Sequence, residues 1–262
     1  MKTNRRYLRL AMLAFALAGS TLVLVPLSWA APQDATAALK AKLHGSQYKD
    51  VQVSVDQNGI ATLSGTVSLY EFKEDADRQA HKVKGVVAVR DDIQVSGNVP
   101  DSAIVKKLAP EIAYSREGFG SVFDAIILHV QNGVVTLSGH AHDYPSRDAA
   151  LGYAATTPGV KEVIDDIQVD PVSSMDWGIR MQVARAIYSY PTLQKYAIDP
   201  IRPIRISVQN GHVELYGSVD SPQDKQIAFM RASQVPGVFS VKNYIQVQGQ
   251  PPEKEHGEPQ QK

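Results

Sequence analysis

The sequence predicts an α+β fold made of three tandem α-β-β-α-β units, each a small three-stranded sheet with two helices on one face. Three observations predict it. The stretch Asn58-Gly59-Ile60-Ala61-Thr62-Leu63-Ser64-Gly65 recurs as Asn132-Gly133-Val134-Val135-Thr136-Leu137-Ser138-Gly139, and again as Asn210-Gly211-His212-Val213-Glu214-Leu215-Tyr216-Gly217. A Gly-Val step follows at Gly85-Val86, Gly159-Val160 and Gly237-Val238, and the gap from turn glycine to step glycine is 26 residues in every copy. An Ile-Gln-Val closes each copy at Ile93, Ile167 and Ile245. Three markers in fixed register, three times over, define a tandem repeat.

Each unit opens with a short amphipathic helix, predicted over 35–43, 102–112 and 177–188. Its apolar residues recur four apart: Leu39/Leu43, Ile104/Leu108/Ile112 and Ile179/Val183/Ile187. Asp101 and Asp176 stand where N-caps are expected. Two alternating runs separated by Asn-Gly come next, as in Val51/Val53/Val55 and then Ile60/Leu63/Val67. Asn-Gly suits a tight primed hairpin turn, whose central residues need positive φ. A second helix carries alanines four apart at Ala76/Ala80, Ala150/Ala154 and Ala228/Ala232. Small side chains there let a helix lie close on a sheet, and alanine has the highest helix propensity. Asp220-Ser221-Pro222 starts the third copy's helix by cap and first-turn proline. The Gly-Val step ends the helix, and a last strand follows over 86–95, 160–169 and 238–247.

The units are predicted at 34–98, 101–170 and 176–248. Their connectors, 96–100 and 171–175, are short and contain Pro or Gly, which suits semi-rigid beads on a string. Residues 249–262 are rich in Pro, Gln, Glu and Lys, with almost no apolar residue, and are expected to be disordered. Residues 1–30 read as a signal peptide. Lys2, Arg5, Arg6 and Arg9 precede an apolar run, and Ser28-Trp29-Ala30 places small residues at a cut after Ala30. The alternative is an uncleaved anchor, since the run is nearly long enough to span a bilayer. Cleavage leaves a periplasmic or secreted protein.

The repeated hairpin, the small-residue second helix and the Gly-Val step together resemble the BON (bacterial OsmY and nodulation) domain family, over nearly the whole of residues 34–248. The resemblance implies an exported, non-enzymatic protein of the cell envelope. The resemblance also implies a link to osmotic stress or to phospholipid surfaces, as in some members of the family, while a cytoplasmic relative binds potassium. The third copy departs from the pattern at Glu214-Leu215-Tyr216 and carries a longer segment over 190–205.

Little in the chain points to catalysis. It holds no cysteine, which excludes a disulfide scaffold, a thiolate metal site and a cysteine nucleophile. No nucleophile elbow, P-loop or zincin motif is present. His140 and His142, with Asp143, read either as a partial metal site or as two exposed histidines at a hairpin end. The other copies hold Thr66/Ser68 and Ser218/Asp220 there, and a metal site needs three or four ligands. Asp91-Asp92 and Asp165-Asp166 could suggest acid–base work or a cation site, but adjacent strand residues face opposite sides and form no dyad, so solvated strand entrances are the better reading. No cofactor, metal or nucleic acid is expected.

Charge is uneven along the chain. The whole sequence balances 27 basic against 27 acidic residues, but the leader carries four of the basic ones. Unit two has 5 basic and 10 acidic residues, while unit three has 8 and 5. Unit three also adds a stripe of Trp177, Met181, Ala184 and Tyr188 beside its core stripe, with Arg180 and Arg185 close by. Trp177, Arg180, Met181, Arg185 and Tyr188 are therefore the candidate lipid-binding residues, with aromatics at headgroup level and cations alongside. Packing of that stripe against unit two, or against the 190–205 segment, is the competing reading. The partners expected are anionic phospholipid or envelope proteins. The rival functions are a protein-interaction or chaperone-like scaffold and a small-ion binding module.

Overall fold

The computed structural model describes residues 32–113, 122–171, 173–199 and 202–251. The expected leader and nearly all of the expected disordered tail lie outside them. Unit one runs α1 (Pro32–Lys42), β1 (Val51–Val55), β2 (Ile60–Val67), α2 (Tyr70–His81) and β3 (Ala88–Val95). Unit two repeats this as α3 (Asp101–Ala113), β4 (Ala125–Gln131), β5 (Val134–Ala141), α4 (Tyr144–Ala155) and β6 (Glu162–Val169). Unit three begins with α5 (Ser174–Tyr188), then a 3-10 turn (Pro191–Leu193), the one-turn helix α6 (Lys195–Ile198), β7 (Arg205–Gln209) and β8 (His212–Tyr216). It continues through β9 (Ser218–Val219), α7 (Pro222–Ser233), β10 (Ser240–Asn243) and β11 (Gln246–Val247). The fold is α+β with a three-stranded sheet in each unit, as the repeat predicts.

In every unit the hairpin strands pair antiparallel and the last strand joins the middle one in parallel. The middle strand starts the parallel register immediately after the turn glycine: Ile60 faces Ala88, Val134 faces Glu162, and His212 faces Ser240. The turn glycine's carbonyl accepts from the residue two past the Gly-Val step's glycine, at Val87, Lys161 and Phe239. The invariant spacing is thus a register constraint. One residue more or less in the intervening helix would place every following side chain on the wrong face.

The Asn-Gly reading holds for two of the three turns. Asn132 and Gly133 have φ of 55° and 81°, and Asn210 and Gly211 have 51° and 77°, as a primed turn requires. In unit one only Gly59 is positive, at 78°. There the Gly59 amide donates to the Asp56 carbonyl, and the Asp56 carboxylate accepts from the Asn58 and Ile60 amides. Asp56 organises a wider turn from within.

Asp101 and Asp176 serve a role the sequence does not announce. Both lie inside their helices, and Ser173 is the cap of α5. The Asp101 carboxylate accepts from the Asn132 and Gly133 amides at 2.7 and 2.8 Å. Asp176 does the same for Asn210 and Gly211 at 2.9 and 2.8 Å. The first helix of each of these units is therefore stapled to its own hairpin turn. Asp176→Ala should lower stability by about 2 kcal/mol, because a buried turn amide loses a charged acceptor. Urea unfolding should show it as a lower midpoint; an unchanged midpoint would remove the staple.

The three cores are small. The six second-helix alanines are all buried, as are Leu39, Ile104, Leu108, Val183 and Ile187. Ile60 turns away from the core, which Ala61, Leu63 and Val67 fill from β2. The 190–205 segment contributes Leu193 and Tyr196 to the core of unit three. The units do not hang apart as beads. Tyr70 and Val99 pack against the core of unit two, and Phe123 of unit two joins the core of unit three. Small domains are marginal alone, and shared burial offsets part of that deficit.

Candidate functional site

The densest polar chemistry lies between units two and three. β6 ends at Val169, and the Asp170 amide donates to the Ala141 carbonyl, which fixes the next side chain inward. Asp170 is 1% exposed. Its carboxylate takes an ion pair from Arg180 of α5, hydrogen bonds from the Ser207 hydroxyl and the Gln209 amide at 3.1 and 2.9 Å, and a contact from His140 Nδ1 at 3.1 Å. Arg180 also donates to the Val208 carbonyl at 2.9 Å. Burial opposes ionisation of Asp170, but His140, Gln209 and Arg180 together outweigh it and hold its carboxyl below the ordinary value. The Asp170 contact likewise raises His140 above the ordinary imidazole value, against the pull of burial.

A polar cleft of about 480 Å3 opens beside this network. His140 and Gln168 of unit two face Gln209, His212, Glu214 and Lys242 of unit three across it. All of these sit at the alternating strand positions that point away from the helices. Glu214 is held below its ordinary carboxyl value: burial would raise it, but the Tyr216 hydroxyl at 2.5 Å and the Lys242 ammonium at 3.0 Å prevail. The cleft binds its own charges to one another, which suits a polar ligand or a docked loop better than proton transfer.

His142 sits 9% exposed, with Nδ1 at 2.8 Å from Asp124 and Nε2 at 3.1 Å from Asp143. Both histidines of the pair are thus enclosed by carboxylates, which corrects the reading of exposed hairpin-end residues. Among the described residues no group of three or more His, Asp or Glu is arranged to hold a metal. Asp91 and Asp165 accept from the Ile93 and Ile167 amides, and Asn243 does the same for Ile245.

The five candidate lipid-binding residues do not form one surface. Trp177 packs edge-on against Phe123 of unit two, with ring centres 5.5 Å apart. Tyr188 is mostly buried and donates its hydroxyl to the Ile204 carbonyl at 2.6 Å. Arg180 is 3% exposed and committed to Asp170. Only Met181 and Arg185 remain on the outside. Helical periodicity alone could not separate these, because the neighbouring unit covers one side of α5. Asp170 and Arg180 were missed as partners, although a signal existed. The repeat places Thr36 and Val105 where unit three has Arg180, so this cation answers a need of one copy only.

The outer face of unit three holds a second candidate. A groove of about 410 Å3 runs between α5 and α7, lined by Gln182, Arg185, Ser189, Arg231 and Gln234. The Arg231 guanidinium lies 5.9 Å over the Tyr190 ring and donates to the Ala186 carbonyl. Met181, Tyr190 and Met230 are exposed on the same two helices and their junction.

A family model described as BON domain matches residues 33–97, 100–171 and 179–249. The chain belongs to the BON domain family. The three BON domains coincide with the three repeated sheets. Osmotically-inducible protein Y of Escherichia coli (strain K12) is 32% identical over 149 residues, covering 51% of this chain and 70% of that protein. Two solved structures of CdsD, a structural protein of the type III secretion system of Chlamydia trachomatis, are 15% identical and cover 80% of this chain. They span 96% and 90% of those chains, with TM-scores of 0.25 and 0.23, too weak a likeness to bear on BON architecture here.

Proposed function

We propose that this BON protein is an exported envelope protein of the osmotic-stress response that acts by binding, attaching to anionic phospholipid surfaces through the outer helical face of unit three. The observation that carries the reading is the α5–α7 groove, lined by Arg185 and Arg231, with Met181 and Met230 exposed on the same two helices. Cations with flexible apolar side chains alongside suit the headgroup boundary of a membrane. Unit three is the one basic unit, which favours approach to an anionic surface. The relative named for osmotic induction supports the physiological setting. The leader-like segment at residues 1–30 supports export, with cleavage near Ala30. No helix among the described residues is long and apolar enough to cross a membrane.

Relative to the stripe read from sequence, the surface keeps Met181 and Arg185 and replaces the inward Trp177, Arg180 and Tyr188 with Tyr190, Met230 and Arg231. Co-sedimentation with phosphatidylglycerol vesicles tests it. A cation near such a surface contributes about 1 kcal/mol, so Arg185→Glu, a change of two charges, should weaken binding roughly 30-fold. Binding should also fade as salt rises. No pelleting with phosphatidylglycerol vesicles, or equal pelleting of the variant, would overturn the proposal.

A further inference from the structure

A separate cavity of about 610 Å3 lies between β4 of unit two and the strands of unit three. Ile126 and Ile127 line it from one side, and Arg205, Tyr216, Tyr244 and Gln246 from the other. It differs from the polar cleft in two respects. Its walls are mainly apolar and aromatic: the Tyr216 and Tyr244 rings are stacked 5.2 Å apart at 22°, and Ile127 and Tyr244 are partly exposed. Its one cation, Arg205, makes no hydrogen bond or ion pair among the described residues, whereas Arg180, Lys195, Arg202 and Lys242 each hold a carboxylate. Asp124, whose charge acts on Arg205, is hydrogen-bonded to His142 and makes no hydrogen bond or ion pair with Arg205 among the described residues. Burial lowers the pKa of Arg205, and the charges of Tyr188 and Asp124 offset it only in part.

We infer that this cavity is a binding site for a small organic carboxylate with a flat aromatic body. A guanidinium presents a planar fork that matches a carboxylate bidentately. Stacked tyrosines and strand-borne isoleucines match a flat apolar body, and the volume falls in the usual range for small-molecule sites. A metal ion would meet the Arg205 charge, and a polyol would leave that charge unpaired. The site is independent of the membrane surface, which lies on the helical side of unit three, so failure of one leaves the other standing.

Isothermal titration of the full chain with naphthaleneacetate and its neutral amide tests the inference. The acid should bind at least tenfold more tightly than the amide, and Arg205→Gln should abolish that preference. No binding of the acid up to about 10 mM, equal binding of acid and amide, or a preference that survives Arg205→Gln would overturn it. If Arg205→Gln fails to fold, Ile127→Glu decides. Ile127 is half exposed, and a carboxylate there should weaken the acid at least tenfold while leaving the amide unchanged. Unchanged acid binding by that variant would likewise overturn the site.

Discussion

Replacing Asp170 by alanine should destabilise the chain by about 3–5 kcal/mol, because it strands a buried Arg180 without its carboxylate. Asp170 and Arg180 are 1% and 3% exposed, so solvent cannot take over the lost role. Ser207 and Gln209 lose their acceptor in the same step. The effect should concentrate at the junction of units two and three. Urea unfolding should split into two transitions as the units uncouple, and a single transition at the original midpoint would refute the role given to Asp170. The pH dependence has a definite sign. His140 is raised in the folded chain, so its contribution is complete below the unfolded value of about 6.5 and is lost as pH rises through the folded value. Asp170 is lowered, so its contribution is present above about 3.8 and is lost as pH falls through the folded value. The junction should therefore be firmest between about pH 4 and 6.5. His142 is also raised, through Asp124 and against its burial, so the His140 part is isolated by His140→Gln, which should flatten the decline above pH 6.5. An unaltered pH profile in that variant would remove His140 from the account.

Gly139→Ala should cost roughly 4 kcal/mol and unfold unit two first. Gly139 ends the repeated hairpin motif at φ of 90°, a region closed to side chains, and a Cβ there would lie 2.2 Å from the Ala125 carbonyl oxygen. Strain and overpacking each contribute about 1–3 kcal/mol in such cases. Backbone carbonyl oxygen in a paired strand cannot step aside as a flexible side chain can. Gly65 and Gly217 meet the Asp50 and Pro203 carbonyls in the same way, at 2.0 and 2.5 Å, so the motif's last glycine is demanded three times. Gly152 is the control. It lies inside α4 with nothing within 4 Å of its would-be Cβ, so Gly152→Ala should stabilise by about 0.5–1 kcal/mol. Thermal or urea unfolding of the two variants should move in opposite directions. A harmless Gly139→Ala would mean the strand can relax around it.

Unit architecture was legible because it is written locally and repeated. The Asn-Gly turns, the alanine pairs and the 26-residue gap each answer a constraint inside one unit: positive φ, close helix–sheet approach and parallel register. The candidate surface was less legible. Trp177 and Tyr188 share a helical stripe with Met181, and nothing in that spacing reveals that Phe123 covers one and Ile204 receives the other. Arg180 looks like a headgroup contact until Asp170, ten residues earlier, is seen folded against it. Asp101 and Asp176 read as caps because a cap is the local use of an acid at a helix start. Their partners lie 31 to 35 residues away in the hairpin turns.

By itself, then, the sequence determined three copies of one α-β-β-α-β unit, their register and the glycines they require, because those features depend on backbone geometry over short spans. Tertiary structure alone decided which face of α5 meets solvent, that units two and three are joined through a buried Asp170–Arg180 pair, and that Arg205 lines a cavity between them. Burial and pairing are properties of neighbours brought together from distant positions, and no periodicity within one element carries that information.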